Sequence, residues 1–347
     1  MASKKLSEFA LIERLKAFGG VPGGNLLLSI GDDCAAWRVP PGHVQIITTD
    51  TLVEGVHFDL DEAVPGEAGW KALAASVSDI AAMGARPTYA LVSLSGPARI
   101  WGSEKTLEIY RGMKPLADRH GIRIVGGNLT RSPEGLSICV TLAGEMPEKS
   151  LLRRSGARPG DYIFVTGVPG RAAMWRALRN NSRASREVKE LFRLVHYHPE
   201  PPVEFGQRLS GQSGGHRLAT AAIDISDGLL ADLCHVLKAS GISGATVDTR
   251  LFPVSVAHML FRSEADTRAS AGGGRFGIHQ YALTGGEDYE LLFTAPPSAG
   301  RRIAAAASSC GVRVTRIGEI TGGGRLKVVD SRGREYLHKG SGGWTHF

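Results

Sequence analysis

Five short acidic clusters punctuate this sequence, each set among Gly, Ser or Thr. They are Gly31-Asp32-Asp33, Thr48-Thr49-Asp50-Thr51, Ser78-Asp79, Asp224-Ile225-Ser226-Asp227-Gly228 and Gly285-Gly286-Glu287-Asp288-Tyr289-Glu290. Most follow or sit inside apolar runs, where a charge is expensive to place. A carboxylate taken out of water needs a partner, so the fold must gather these groups around something that satisfies them. A bound divalent cation is the strongest partner available. Hard oxygen donors favour Mg²⁺ over Zn²⁺, and Mg²⁺ commonly arrives with phosphates. The clusters therefore point to a Mg²⁺-nucleotide enzyme.

Each cluster alone also has a plainer reading. Gly31-Asp32-Asp33 has the composition of a surface turn. Thr48-Thr49-Asp50 suits a strand end, Asp79 an exposed helix face, and Asp227 a helix N-cap. Glu287-Asp288 suits an acidic turn. His57, in Glu54-Gly55-Val56-His57-Phe58, fits a structural histidine as well as a ligand contact. Trp344, near Phe347, either packs or stacks on a ring. The joint occurrence of the clusters is what favours metal and phosphate.

The common nucleotide signatures are absent. No Gly-Lys dipeptide exists, which excludes a Walker A loop. There is no His-Arg-Asp or Asp-Phe-Gly triplet of a protein kinase. One GxGxxG match, Gly272 to Gly277, follows an Arg-rich polar stretch and not a strand, which argues against a dinucleotide fold. The net charge of +7 is spread along the chain, with no basic helix interleaved with aromatics, so nucleic acid is not an expected partner. No apolar run reaches the roughly 18 residues of a membrane helix. The first residues lack the apolar segment of a signal peptide. Cys34, Cys139, Cys234 and Cys310 have no CxxC spacing and read as reduced, mostly buried residues of a cytoplasmic protein.

A length of 347 residues suggests two domains. Helices are predicted over 8–18, 70–83, 104–120, 171–178, 228–240 and 301–309. Strands are predicted over 44–48, 89–94, 122–125, 136–143, 162–166, 219–225, 290–295 and 312–320. The turn-rich segment Arg153 to Asp161 reads as the junction, dividing the chain into 1–150 and 151–347. Asn180 to Lys189 reads as a polar connection and Glu264 to Gly277 as a surface loop. Alternating strands and helices make this an α/β or α+β chain.

Taken in order, these stretches resemble the thiamine-monophosphate kinases. The matching segments include Ser7 to Ile12, Ile30 to Ala35, Thr49 to Phe58, Lys71 to Ala74, Ser78 to Ala85, Val125 to Arg131, Arg154 to Asp161, Ile223 to Leu229 and Gly285 to Leu291. That family shares a superfamily with aminoimidazole ribonucleotide synthetase and selenophosphate synthetase. The resemblance implies two α/β domains, with N-terminal domains that pair in a homodimer. It also implies ATP-dependent phosphorylation of thiamine monophosphate to thiamine diphosphate. By the same resemblance Asp33, Thr48, Thr49, Asp50, Asp79, Asp224 and Asp227 are Mg²⁺ ligands, with Asp50, Asp79 and Asp224 at the catalytic centre. Gly127, Arg154 and Ser226 match nucleotide-binding positions. His57, Glu287, Asp288 and Trp344 match positions that hold the thiamine substrate. The resemblance breaks at Asn128, where the family motif has Asp after the Gly-Gly pair. Asn128 still offers a carbonyl oxygen to the metal and the nucleotide, but no charge. Two other readings stand beside this one: a superfamily enzyme with a different acceptor, and a nucleotide-binding regulator without turnover.

Overall fold

The computed structural model of the chain describes residues 8–101, 104–182, 184–212, 215–255, 258–261, 276 and 278–337. The described backbone forms two compact units, divided after residue 149, with the short stretch 81–84 grouped with the second.

The first unit opens with α1 (Glu8–Leu15), continued by a 3₁₀ turn to Phe18. A small antiparallel pair follows, β1 (Leu26–Leu28) and β2 (Ala36–Trp37). Then come β3 (His43–Val53), α2 (Pro65–Ala82), β4 (Arg86–Gly96), α3 (Glu104–His120), β5 (Arg123–Arg131) and β6 (Ser137–Pro147). The four long strands form one sheet in the order β3-β6-β4-β5, with β4 and β5 parallel. Helix α2 is apolar nearly all round and is buried along most of its length, as expected of a helix packed on both sides. One side meets the sheet. The other meets α3 so closely that a Cβ on Gly112 would lie 1.8 Å from the Gly66 carbonyl oxygen.

The second unit begins with β7 (Tyr162–Thr166), followed by α4 (Arg171–Leu178), α5 (Arg186–Tyr197) and α6 (Val203–Ser210). Next are β8 (Ala221–Asp224), α7 (Leu229–Ala239), β9 (Gly244–Asp248) and α8 (His279–Thr284). The unit closes with β10 (Leu291–Ala295), α9 (Gly300–Ser309), β11 (Val314–Thr321), β12 (Leu326–Val329) and β13 (Glu335–Leu337). Its seven-stranded sheet runs β13-β12-β9-β11-β7-β10-β8. The central strands are buried on both faces. On one, Ile163, Val165, Ile223 and Leu292 pack with Leu233 and Val236 of α7. On the other, Phe164 and Phe293 stack at 5.2 Å.

Four expectations need correction. The polar connection predicted over Asn180 to Lys189 contains the first turn of α5, which Ser185 caps. β3 does not stop at Thr48 but continues through Thr49 and Asp50 to Val53, so those residues lie mid-strand. The strand predicted to end at Val125 likewise runs on through Gly126, Gly127 and Asn128. None of the four cysteines is buried: Cys34 is exposed and the other three are partly so. The loop over 264–277 and the GxGxxG match lie outside the described residues, apart from Phe276.

Candidate active site

The first unit divides its candidate residues between the two faces of one sheet. Side chains alternate along a strand, so neighbours in β3 point to opposite sides. Thr48 and Asp50 face α2. The Thr48 hydroxyl donates to the Asp79 carboxylate, and Ser76 Oγ donates to Asp50 Oδ2 at 2.9 Å. Asp79 is therefore not a solvent-facing residue of α2 but a partner of β3. Burial and the neighbouring charge of Asp79 push the Asp50 carboxyl up to about 6. The closeness of two carboxylates, one of them destabilised as an anion, is the condition a cation relieves.

Thr49 faces the other way. Its hydroxyl lies 3.1 Å from Thr141 Oγ1 and 3.4 Å from Cys139 Sγ. Across the sheet Thr49 pairs with Thr141, and Thr51 with Cys139, while β4 pairs Ser93 with both Cys139 and Asn128. Asn128 thus shares the face of Thr49 and not that of Asp50. A cavity of about 750 Å³ lies here, lined by Asp33, Cys34, Trp37, Tyr110, Gly127 and Asn128 among others. Such a volume suits a nucleotide-sized ligand. Gly127 is fixed by space: a Cβ there would meet the Val92 carbonyl oxygen at 1.9 Å.

His57 follows β3 in a tight turn. Its Nδ1 accepts the Val53 N–H at 3.1 Å, which leaves the proton on Nε2 and makes that nitrogen a donor. The turn is held by Lys71, 0% exposed in α2, whose Nζ donates to the His57 carbonyl at 2.6 Å.

In the second unit the two acidic motifs lie side by side. The Glu287 N–H donates to the Ser226 carbonyl at 2.8 Å, Tyr289 N–H to Ile225 O at 2.9 Å, and Ile225 N–H to Glu290 O at 2.7 Å. Asp224 ends β8 at 3% exposure. Asp227 is not a side-chain N-cap: Gly228 holds the cap position without a side-chain bond. The backbone N–H groups of Asp227 and Gly228 instead donate to Asp232. Glu287 and Tyr289 hold φ of 67° and 53°, a left-handed backbone that costs energy in residues with a side chain. Glu287 pairs with Arg176 of α4. Asp288 accepts from the Gly170 N–H at 2.6 Å and the Ala172 N–H at 3.4 Å, so its carboxylate anchors the start of α4. Both of its oxygens thus have backbone partners, which gives it an anchoring role beside the predicted substrate one. Arg154 is exposed in the segment before β7. Trp344 lies outside the described residues.

Ser76, Lys71, Arg176 and Asp232 were not predicted as site residues. Asp232 carried a usable signal, a lone carboxylate in Leu229-Leu230-Ala231-Asp232-Leu233, the same signal that singled out Asp79. Among the described residues no three His, Cys, Asp or Glu side chains form a ready metal cage. The donors are nonetheless all oxygens, in three separate groups, and the groupings fit Mg²⁺, which takes few protein ligands and completes its shell with phosphates and water.

Two domain models match in order: the AIR synthase related protein N-terminal domain over residues 31–146, and the C-terminal domain over 158–331. These define the class, and the chain belongs to the AIR synthase related proteins and, within them, to the thiamine-monophosphate kinase family. A thiamine-monophosphate kinase of Salmonella typhimurium is 39% identical over 319 residues, 90% of each chain. That of Bacillus subtilis is 31% identical over 92% of this chain and 93% of its own. Among solved structures, a thiamine-monophosphate kinase from Stenotrophomonas maltophilia K279a is 38% identical, with a TM-score of 0.78 over 94% of this chain and 97% of its own. AaThiL complexed with AMPPCP and TMP is 29% identical, with a TM-score of 0.73 over the whole of both chains.

Proposed function

We propose that this chain transfers the γ-phosphoryl group of ATP to thiamine monophosphate, giving thiamine diphosphate. The observation that carries this reading is the oxygen-only donor set, Thr48, Asp50 and Asp79 on one sheet face and Asp33, Thr49 and Asn128 on the other, beside a nucleotide-sized cavity. The whole-length similarity to thiamine-monophosphate kinases supplies the acceptor.

The residues divide the work. Asp33, Thr48, Thr49, Asp50, Asp79 and Asn128 in the first unit, and Asp224 and Asp227 in the second, would hold Mg²⁺. Bound Mg²⁺ would neutralise the phosphates of ATP and of the acceptor, which otherwise repel, and polarise the transferred group. In the first unit Gly127 would let a phosphate approach the backbone, and in the second Arg154 and Ser226 would offer donors to a nucleotide. His57 presents Nε2–H to the acceptor phosphate or ring. Glu287, held by Arg176, would border the cationic thiazolium, with Asp288 holding the neighbouring helix start. By the family resemblance, Trp344 would be the ring partner of the substrate. The acceptor phosphate is already ionised, so no strong general base is needed and attack on the γ-phosphorus is direct and in line.

We further infer a homodimer through the first unit. The open face of its sheet exposes Ile47 at 63% and Leu91 at 37%, apolar surface that a second copy would cover. No described helix is long and apolar enough to cross a membrane. A cytoplasmic location follows from the need for ATP.

The test is incubation of the purified full chain with ATP, Mg²⁺ and thiamine monophosphate, followed by chromatography, with Asp50→Ala beside it. We expect thiamine diphosphate from the wild type and none from the variant. ATP binding without product would instead favour a regulator or a different acceptor.

A further inference from the structure

One buried carboxylate has no place in the scheme above. Asp232, 0% exposed, sits in the first turn of the apolar helix α7. Its Oδ2 accepts the N–H of Gly228 at 3.1 Å and that of Asp227 at 3.3 Å. Its Oδ1 is equally buried, and no hydrogen-bond donor among the described residues reaches it. Asp224 and Asp227 lie near enough to act on it as like charges. Three carboxylates therefore share one small region. The helix N-terminus offsets a fraction of that charge through the two N–H groups already spent on Oδ2. Oδ1 is left with nothing.

A hydrogen-bond donor on a hydrated cation satisfies this arrangement, because it meets the open oxygen and the surplus charge together. Mg²⁺ keeps several of its waters when protein-bound. Residues that hold such waters, or orient direct ligands, fix a metal site nearly as strongly as the ligands do. We propose that Asp232 is a positioning residue whose Oδ1 accepts from a water of a divalent cation held by Asp224 and Asp227, while its Oδ2 pins the backbone that carries Asp227. The inference rests on the Mg²⁺-nucleotide reading of the site. Its consequence is that cation binding and the order of the Ser226–Gly228 turn are one event.

Asp232→Asn separates this role from mere turn-holding. Asn keeps a carbonyl for the two N–H groups but removes the charge and places donors where Oδ1 was. Asp232→Ala removes both functions. Full-length wild type and both variants are titrated with Mn²⁺ in the absence of nucleotide, with free Mn²⁺ read by electron paramagnetic resonance. Folding is checked by circular dichroism in EDTA. We expect the Asn variant to fold and to lose about 10–100-fold in affinity at one class of site, with the rest unchanged. Unchanged Mn²⁺ binding by Asp232→Asn would overturn the role and leave Asp232 a turn-holder. A wild type that binds no Mn²⁺ would overturn the metal reading and this inference together. A second measurement needs no variant: amide exchange at Asp227 and Gly228 in the wild type is expected to slow when Mg²⁺ is added, and an unaltered rate would count against the proposal.

Discussion

Asn128 concentrates the chemistry of the first unit into a single atom change. It lies exposed on the open face of the sheet, beside the cavity that Asp33 lines. Its carbonyl can meet a cation but adds no charge. A full negative charge about 4 Å from a divalent ion gains about 2 kcal/mol in water, and salt screening roughly halves that. Asn128→Asp is therefore expected to tighten Mn²⁺ binding about fivefold, at about 1.4 kcal/mol per tenfold. Calorimetry at physiological salt would check it, and unchanged or weaker binding would mean that Asn128 does not face the ion. Asp288 makes a second prediction at this scale. Burial, despite two backbone N–H bonds, pushes its carboxyl up to about 7, and burial raises its neighbour Glu290 as well. The unfolded carboxyl releases its proton near pH 4, well before the folded one. The stability it contributes is thus complete at low pH and is lost as pH rises through about 7. In EDTA, the fall in Tm from acid to alkaline pH is expected to be smaller for Asp288→Asn than for the wild type. Equal falls would remove Asp288 as the cause.

Among the elements, the pairing of α2 with α3 depends on missing side chains. The Gly112 position meets the Gly66 carbonyl, and a Cβ on Gly69 would lie 2.1 Å from the Ile109 carbonyl oxygen. Both obstacles are backbone and cannot swing aside. Gly112→Ala would push α2 away from α3 and disturb Ser76 and Asp79, which α2 presents to β3. An overpacked contact costs about 1–3 kcal/mol, or about 2–4 °C in Tm for each kcal/mol in a domain of this size. Differential scanning calorimetry would measure it, and an unchanged Tm would refute the close contact. Element prediction from sequence worked best where apolar spacing was regular: α3, α4 and β7 lie where that spacing puts them. It failed at β3, because the polar run Thr48 to Thr51 reads as a strand end while half of it merely faces the open side of the sheet. It failed at α5, whose first turn lies inside a stretch, Asn180 to Lys189, polar enough to pass for a loop.

At the scale of the whole molecule, the acidic clusters pointed to a nucleotide-using enzyme before any coordinates did, because carboxylates inside apolar runs are costly wherever they fall. Their grouping was not legible. Nothing in Thr48-Thr49-Asp50 says that its middle residue works on the far side of a sheet, and nothing in Lys71 says that it braces His57. Those relations belong to the pairing of strands distant in sequence. Asp232 was legible in kind, as a charge in a leucine-rich helix, but its two N–H partners become visible only when α7 is built from the Gly228 turn.

The alternation of β3 also has a bearing on how such a chain can vary. One strand serves two sides in strict order, with even positions turned to α2 and odd positions to the open face that also borders the cavity. Losing or gaining a single residue in β3 would exchange the two sets, sending the carboxylate of Asp50 to the open face and a threonine hydroxyl toward Asp79. Length changes of this strand are therefore closed to natural drift in steps of one, and substitutions that keep its parity remain open.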